Sequence, residues 1–204
     1  MTVTAGSSKP YSELARGLLR DRVLEAVGEL LADRPWPKVS MVAVAAHVGV
    51  SRQTLYNTFG SRQELAQAYV EREADRFLAG VDVAVRDHAS NPQEALAAAL
   101  AIFLAAAGRH PLVRAITSPD GGEELLPLVT TRGGPLIEHV TEHLTALLVE
   151  TWPRLPQADA APIADALVRL AISYAALPEG DPIDTARTVA RLLGPSVDGL
   201  LGRD

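Results

Sequence analysis

The sequence predicts an all-α protein, and three observations support this. Apolar residues recur at helical spacing along most of the 204 residues, whereas no segment shows the strict alternation that is typical of a strand. Proline and glycine pairs interrupt the apolar runs at short intervals, as expected for loops between helices. Serine residues precede several runs at positions where they can cap a helix. With 48% hydrophobic residues, the chain can bury a substantial core in one or two domains.

The first helix is predicted over residues 11 to 32. Its apolar residues form a broad helical stripe, which comprises Leu14, Leu18, Val23, Val27, Leu30 and Leu31. The polar residues 1 to 10 are expected to form a flexible arm, and they lack the apolar run of a secretory signal. Pro35, Trp36 and Pro37 end the helix. We expect Trp36 to fill the core of a small domain rather than to stack on a nucleic-acid base.

Residues 40 to 73 contain three short helical signals around one glycine. The predicted helices span residues 41 to 47, 52 to 58 and 62 to 79. Ser40 and Ser51 are expected to cap the first two helices with their side-chain oxygens. Ser61 and Glu64 form a predicted capping box in front of the third helix. Gly49 lies between the first two helices, where a positive φ is needed and a Cβ would cost energy.

Five apolar or small residues stand at the offsets that a helix-turn-helix requires around this glycine, namely Val44, Ala45, Val48, Val50 and Leu55. The segments Val50 to Phe59 and Ser61 to Leu65 closely resemble the TetR family of transcriptional repressors. The resemblance is specific within the first 80 residues. It implies a three-helix DNA-binding domain followed by a larger helical domain that binds a small molecule and dimerises. The predicted domains are an arm at residues 1–10, a DNA-binding domain at 11–60, a connecting helix at 61–80, and an effector-binding and dimerisation domain at 81–204.

The charge distribution independently favours a nucleic-acid partner. Residues 34 to 63 contain four basic residues and no Asp or Glu, which gives this segment a local charge of +4. The whole chain carries −6, so the remainder sums to −10. Phosphate contacts are local and are screened beyond about 10 Å, so an acidic protein with one basic patch can still bind DNA. The alternative is an ordinary solvated helical face.

The DNA-contacting residues are predicted from their reach. In a helix-turn-helix, the first residues of the second helix meet base edges, and Arg and Gln offer paired hydrogen bonds to guanine and adenine. The candidate base contacts are Arg52, Gln53, Thr54 and, one turn further on, Asn57. The candidate phosphate contacts stand at helix starts or flanks, where the TetR family that the sequence resembles commonly touches phosphate, and they are Ser40, Ser51, Tyr56 and Arg62, with Lys38 as a further candidate.

The larger domain carries no sequence motif, and its helices are predicted from apolar runs between breaks. The breaks fall at Asn91-Pro92, His110-Pro111, Pro119 to Gly122, Gly133 to Pro135 and Pro178 to Pro182. The predicted helices span residues 81–88, 92–108, 111–117, 123–130, 135–152, 160–177 and 182–201. We expect the last two helices to form a helical hairpin.

The resemblance implies an effector pocket between the helix that begins at residue 62 and the helices near 92–108, 111–117 and 135–152. Its candidate apolar lining residues, each of which would equally suit an ordinary core, are Phe77, Ile102, Phe103, Ile116, Leu136, Val140 and Trp152. Little fixed positive charge is expected inside, which favours a lipophilic effector over a phosphorylated metabolite. A fatty acid, a hydrocarbon, an aromatic compound or a drug would suit such a pocket.

His139 and His143 stand four residues apart, so both imidazoles lie on one face of a predicted helix. They are candidates for a polar part of the pocket lining, or they lie on the plain surface. With Glu142 or His110 they could also hold a metal, but metal sites usually need three or four ligands and the sequence offers no second clustered pair. We therefore predict neither a metal site nor a cofactor.

The final two helices present apolar stripes. In the TetR family, the last two helices pair with those of a second copy in a four-helix bundle, and a symmetric operator requires a symmetric reader. The resemblance therefore assigns to a dimer interface the residues Ile163, Leu167, Leu170, Tyr174, Ile183, Ala186, Val189, Leu193 and Val197. The periodicity alone would fit an internal core equally well.

Other classes of protein fit the sequence less well. An enzyme is not favoured, because nucleophile motifs, phosphate-binding glycine loops and HExxH are missing. The longest apolar run, Ala95 to Gly108, is shorter than the roughly 20 residues that a membrane span requires. The chain contains no cysteine, which excludes disulfides and predicts a cytoplasmic location.

Together with the resemblance, these features predict a dimeric DNA-binding regulator. We expect a repressor that leaves a palindromic operator when a small lipophilic effector binds. The alternative within the same class is a DNA-binding protein that a partner protein regulates instead.

Overall fold

The computed structural model describes residues 11–117, 122–177 and 180–202. These ranges contain ten α-helices, one short 3-10 helix and no strand, so the all-α prediction is confirmed. The predicted arm at residues 1–10 lies outside this part of the chain, as do residues 119–121 and 178–179 of two predicted loops. None of the helices in the described ranges is long and apolar enough to cross a membrane.

The chain divides into two compact units, the first of which ends at Tyr69. Its elements are α1 (Tyr11–Asp33), a 3-10 helix (Trp36–Lys38), α2 (Met41–Val48), α3 (Arg52–Phe59) and the beginning of α4 (Arg62–Asp87). The side chains of Trp36, Leu55, Leu65 and Tyr69 are each only 1% exposed and fill the core of this unit. The predicted core position of Trp36 is therefore confirmed.

The second unit begins at Val70 and contains the rest of α4 and six further helices. These are α5 (Pro92–Ala107), α6 (Pro111–Thr117), α7 (Gly122–Val129), α8 (Gly134–Thr151), α9 (Gln157–Ala176) and α10 (Pro182–Leu200). The two helices of the predicted C-terminal hairpin pack most closely against other helices and not against each other. α9 lies along α8, and α10 lies along α5.

α4 is one continuous helix of 26 residues, so the predicted break after residue 79 is wrong. Gly80 lies inside this helix, where a glycine costs up to about 1 kcal/mol relative to alanine. The buried side chains of Leu78, Val81, Ala84 and Val85 offset that cost, because they anchor the helix to the core on both sides of the glycine. The helix consequently runs from the first unit into the second without interruption.

Candidate DNA-binding face and apolar cavity

The turn between α2 and α3 has the geometry that the sequence predicts. Gly49 has a φ of +81°, and nothing lies within 4 Å of the place that its Cβ would occupy, so the backbone and not a lack of space requires glycine. The Ala43 N–H donates a hydrogen bond to Ser40 Oγ (3.2 Å), and the Thr54 N–H donates one to Ser51 Oγ (3.0 Å). Both predicted helix caps are confirmed.

The predicted capping box at the start of α4 forms only in part. Ser61 Oγ accepts a hydrogen bond from the Glu64 N–H at 3.1 Å, as predicted. The Ser61 N–H, however, donates to the Phe59 carbonyl oxygen at 2.9 Å instead of to the Glu64 side chain, so the reciprocal half of the prediction is wrong. Gly60 has a φ of +76° and turns the chain between Phe59 and Ser61.

One face of α3 is polar and exposed, while Leu55 and Phe59 on the other face are buried. The exposed residues are Arg52, Gln53, Tyr56 and Asn57. The Gln53 side-chain amide donates a hydrogen bond to Asn57 Oδ1 (2.8 Å), and the hydroxyl oxygens of Ser51 and Thr54 lie 2.8 Å apart. The structure thus brings the predicted base-contacting residues together on one surface.

Arg62 occupies a different place from the predicted phosphate contact. Its Nε donates to the Val39 carbonyl oxygen (3.0 Å) and its Nη2 donates to the Trp36 carbonyl oxygen (2.7 Å). The guanidinium carbon also lies 4.5 Å from the centroid of the Trp36 ring. These contacts satisfy the chain around the 3-10 helix, so we propose that Arg62 positions this segment instead of contacting a phosphate. Lys38, which ends the same 3-10 helix, is exposed and remains a phosphate candidate.

Two contacts in the first unit have no signal in the sequence, because their partners are far apart along the chain. His47 on α2 pairs with Glu29 on α1 at 2.5 Å. That hydrogen bond is the largest influence on the pKa of Glu29, and together with the charge of Arg22 it outweighs desolvation and holds the pKa below its ordinary value. The Arg20 guanidinium carbon lies 4.9 Å from the centroid of the Phe59 ring, at the end of α3. Both contacts help to fix α1 against the helix-turn-helix.

A cavity of about 190 Å³ lies in the second unit, among helices α4 to α9. Every side chain that lines it within the described part of the chain is aliphatic or phenylalanine. Five predicted residues are among them, namely Phe77, Phe103, Ile116, Leu136 and Val140. The Phe77 and Phe103 rings pack edge to face, with their centroids 5.4 Å apart. The described residues therefore offer a ligand apolar contact in this cavity and no side-chain hydrogen bond.

Four predicted lining residues lie elsewhere. Ile102 is 37% exposed, and Trp152 is buried in the core with its Nε1–H donating to the Ala89 carbonyl oxygen (2.8 Å). His139 and His143 pair through Nε2 with carboxylates of α4, at 2.8 Å from Asp75 and 2.7 Å from Asp82 respectively. The pocket assignment of these four residues is wrong, because Ile102 faces outward, Trp152 is packed in the core, and the two histidines are held by carboxylate partners. Among the described residues, no cluster of three or more His, Cys, Asp or Glu side chains could hold a metal.

α9 also lines the cavity, which the sequence did not predict. That helix supplies Leu167, Val168, Ala171, Ile172, Ala175 and Ala176. Its apolar stripe was assigned to dimerisation, and Leu167 was one of the interface candidates. The signal in the sequence that could have indicated this contribution is the recurrence of alanine along an apolar helix. Alanine side chains leave space beside the helix that larger residues would fill.

Most of the predicted interface residues face the core of their own chain. Ala186, Val189 and Val197 on α10 are at most 4% exposed, because α5 covers that face of the helix. Their assignment to an interface is wrong. The other interface candidates that pack against the core of the second unit are half-buried, and they are Ile163, Leu167, Leu170, Tyr174 and Leu193. Ile183 is 48% exposed and remains an interface candidate.

Two family models match the chain. Residues 23–69 match the model described as "Bacterial regulatory proteins, tetR family", and residues 91–195 match "Bacterial Tetracyclin repressor, C-terminal domain". The second match alone covers more than half of the chain. The chain belongs to the TetR family. Its helix-turn-helix and its helical C-terminal domain are therefore those of a TetR-family regulator.

Individual relatives agree with this assignment. This TetR-family chain is 38% identical over 194 residues to the HTH-type transcriptional regulator AlkX of Mycobacterium tuberculosis, which covers 95% of this chain and 92% of that protein. It also resembles the crystal structure of the TetR family repressor AlkX from Dietzia sp. strain DQ12-45-1b, implicated in biodegradation of n-alkanes. That comparison gives a TM-score of 0.79 at 37% identity and covers 89% of this chain and 96% of the Dietzia chain.

A more distant structure shares the fold alone. A TetR-family transcriptional regulator from Pectobacterium atrosepticum has a TM-score of 0.66 at 18% identity, over 94% of this chain and 97% of that one.

TetR-family proteins are transcriptional regulators that bind operator DNA, dimerise and bind small-molecule effectors. The present chain is accordingly a DNA-binding transcriptional regulator and not an enzyme.

Proposed function

We propose that this regulator is a homodimeric repressor of a palindromic operator, and that a lipophilic effector with a long hydrocarbon chain releases it from DNA. The cavity wall is the observation that carries the effector class, since the described residues that line it have only apolar side chains. A charged or phosphorylated ligand would lose its hydration there without gaining a side-chain hydrogen bond, at a cost of several kcal/mol. A hydrocarbon chain would lose no such interaction.

The relatives support the same effector class. AlkX from Dietzia is a repressor implicated in biodegradation of n-alkanes, and it is 37% identical to this chain. A regulator of genes for hydrocarbon metabolism would need a site that holds a hydrocarbon chain. The apolar cavity meets that requirement.

On the DNA side, the exposed face of α3 supports sequence-specific reading. Arg52 and Gln53 lie at the start of this helix, where side chains reach base edges in the major groove. A two-fold symmetric dimer presents two such helices and therefore matches an inverted repeat.

Surface leucines and one isoleucine support a dimer contact on α10 and at the end of α9. The exposed apolar residues there are Leu177, Ile183, Leu192 and Leu200. They differ from most of the residues that the sequence predicted, because the inner face of α10 is already covered by α5.

Release from the operator requires the effector to prefer one of two conformations. An effector shifts the equilibrium only by as much as its affinity differs between the DNA-binding and the released state. α4 is the element through which occupancy can reach the DNA-binding domain, because it lines the cavity with Phe77 and begins at Arg62.

The operator is best found by sequencing the genomic DNA fragments that the purified protein retains at two salt concentrations. A short inverted repeat that persists at the higher salt concentration is the expected result, since specific contacts survive where counterion-driven binding weakens. Retention without sequence preference would contradict the proposed operator.

The effector class is then tested with the recovered operator and n-hexadecane as the probe. Operator affinity is measured by fluorescence anisotropy of the labelled DNA. We expect n-hexadecane to weaken the affinity by at least about ten-fold. Unchanged affinity with n-hexadecane would overturn the proposed effector class.

A pair of α4 variants locates the response in the cavity. Ala74 lines the cavity, and in Ala74→Phe the new ring would occupy space that a ligand needs. Ala79 lies on the same helix but is exposed, so Ala79→Phe is the matched control. Only Ala74→Phe is expected to lose the response to n-hexadecane. An equal response in both variants would place the effector elsewhere.

A further inference from the structure

Glu73 is a buried charge beside the cavity. It lies on α4, one turn before the lining residue Phe77, and it is 2% exposed, which makes it the only charged residue in the described part of the chain that is buried to this degree. Its Oε1 accepts hydrogen bonds from Arg72 (2.9 Å) and Arg76 (3.2 Å). Its Oε2 lies 3.1 Å from Nε2 of His110. Both carboxylate oxygens are thus engaged, and one of them reaches another helix.

His110 is oriented for this contact by its own backbone surroundings. Its Nδ1 accepts a hydrogen bond from the Leu112 N–H (3.3 Å), which leaves Nε2 to donate to Glu73. The His110 carbonyl oxygen accepts from the Arg114 N–H (3.1 Å) at the beginning of α6. The residue therefore ties the first turn of α6 to α4.

His110 also packs behind a residue that lines the cavity. The His110 ring packs against the Phe77 ring with centroids 5.1 Å apart. Phe77 lines the cavity from α4, while Leu112 and Ile116 line it from α6. A ligand that inserts between α4 and α6 would therefore change the distance between Glu73 and His110.

We propose that the pair of Glu73 and His110 is a latch that holds the α6 wall of the cavity against α4, and that opening this latch weakens operator binding. The inference rests on the proposed function, in which occupancy of the cavity releases the DNA. Both residues are positioning residues, since neither lines the cavity. In the closed state the latch fixes the α6 wall, and a ligand that separates the two helices shifts the population towards the released state.

Burial distinguishes this pair from the other histidine–carboxylate pairs of α4. The side chains of Glu73 and His110 are 3% and 24% exposed, whereas those of Asp75 and His139 are 62% and 54% exposed. Removing one partner of a buried pair is strongly destabilising, because no water replaces the lost partner beside the remaining group, whereas an exposed pair contributes little to stability. The pair of Asp75 and His139 is consequently a matched control on the same helix.

The test compares His110→Phe with His110→Gln and His139→Phe in the full-length protein without ligand. Phenylalanine keeps a ring against Phe77 but cannot donate to Glu73, whereas the glutamine amide restores a donor near the position of Nε2. Hydrogen–deuterium exchange of the backbone amides at residues 113–117 reports on the attachment of α6. Anisotropy of the labelled operator reports on DNA binding.

We expect His110→Phe to accelerate exchange in α6 and to weaken operator binding, each by at least about ten-fold. His110→Gln is expected to restore both properties to within about three-fold of the wild type, and His139→Phe to leave both unchanged. Wild-type exchange or wild-type operator affinity in His110→Phe would overturn the latch. Equal losses in His110→Phe and His110→Gln would also overturn it, because packing of the ring would then explain the effect.

A second variant keeps the proposal testable if His110→Phe does not fold. In Glu73→Gln the side chain keeps its shape, but its single carbonyl oxygen cannot serve the arginines and His110 in the way that two carboxylate oxygens do. The expected changes have the same direction, and their absence would overturn the latch. Because neither readout uses a ligand, the latch is tested even if n-hexadecane leaves the wild-type operator affinity unchanged.

Discussion

Two backbone carbonyls and one indole ring hold the Arg62 side chain inside the DNA-binding unit. Its charge therefore supports the 3-10 helix that contains Trp36 and precedes α2. Without the guanidinium, the carbonyl oxygens of Trp36 and Val39 would lose these donors, and the start of α4 would lose its tie to this segment. The residue acts on DNA binding through the geometry of the domain.

Arg62→Ala should accordingly change stability and not the electrostatics of DNA binding. We expect its free energy of unfolding to fall by about 1–3 kcal/mol. The slope of log affinity against log salt should stay at the wild-type value. Lys38→Ala is the comparison, since loss of one phosphate contact makes this slope shallower by about one with little change in stability. Urea denaturation and operator titrations at several salt concentrations measure both effects, and a shallower slope for Arg62→Ala would restore its assignment to phosphate.

Residue-scale predictions succeeded where the interaction is local. The Ser40 and Ser51 caps join groups three residues apart, so the sequence carries the whole interaction. Arg62 and Trp36 are 26 residues apart, and only the fold brings them together. The same reason hid the partners of His139 and His143, which are the carboxylates of Asp75 and Asp82 on α4.

The titration of Glu73 gives a prediction for stability against pH. Burial by itself raises the pKa of this carboxyl, but the hydrogen bonds from His110 and Arg72 and the charge of Arg76 more than compensate, so the pKa lies below its ordinary value of 4.5. A lowered folded-state pKa means that the unfolded chain binds the proton more readily. The contribution to stability is therefore complete above about pH 4.5 and is lost as the pH falls through the folded-state pKa.

We expect the difference in unfolding free energy between the wild type and Glu73→Gln to be largest at neutral pH. It should shrink as the pH falls below 4.5, because the wild-type carboxyl then becomes protonated and neutral like the amide. Urea denaturation of both proteins across this range measures the difference. A difference that stays constant with pH would show that charge on Glu73 does not stabilise the fold.

At the scale of helices, proline and glycine marked most of the boundaries because they remove a donor or favour a turn. The same signals do not say which helix packs on which. An apolar stripe on α10 fits the core and a dimer interface equally well. In the structure it belongs to the core, because α5 packs against it. Gly194 shows why these two helices lie so close, since a Cβ there would be 2.9 Å from Gln93 Cβ.

Gly194→Ala is expected to force α5 and α10 apart. Its Cβ would also lie 3.0 Å from Gln93 Cγ, so a neighbour must shift, and we expect a loss of stability of about 1–3 kcal/mol. Gly199→Ala is the matched control on the same helix, because nothing lies within 4 Å of its Cβ position. That variant should gain about 0.5–1 kcal/mol from the reduced freedom of the unfolded chain. Thermal unfolding of both proteins would contradict the close packing if their midpoints moved in the same direction.

At the scale of the whole molecule, the sequence indicated the two-part organisation more clearly than the cavity. The helix-turn-helix is a short continuous pattern, so its residues could be assigned one by one. The cavity draws side chains from six helices, and its shape depends on how those helices pack. Five of its residues were predicted because the family resemblance indicates which helices surround the pocket, whereas the alanines of α9 that create space beside the helix were missed.

Dimerisation gives the prediction at this scale. Leu192 on α10 is 70% exposed, and we expect Leu192→Arg to place a charge in the proposed dimer contact. The protein should then sediment with a mass near the 21.6 kDa of one chain instead of twice that value. Operator affinity should fall by at least about a hundred-fold, because each half-site would be bound without the gain from a linked second reader.

Val83→Arg is the control for this change. Val83 is 60% exposed on α4, so the substitution adds the same charge to the same unit outside the proposed contact. Any general attraction of the new arginine to DNA is present in both variants, and only Leu192→Arg should lose the dimer. If Leu192→Arg remained a dimer with wild-type operator affinity, the contact between copies would have to lie on another face of the second unit.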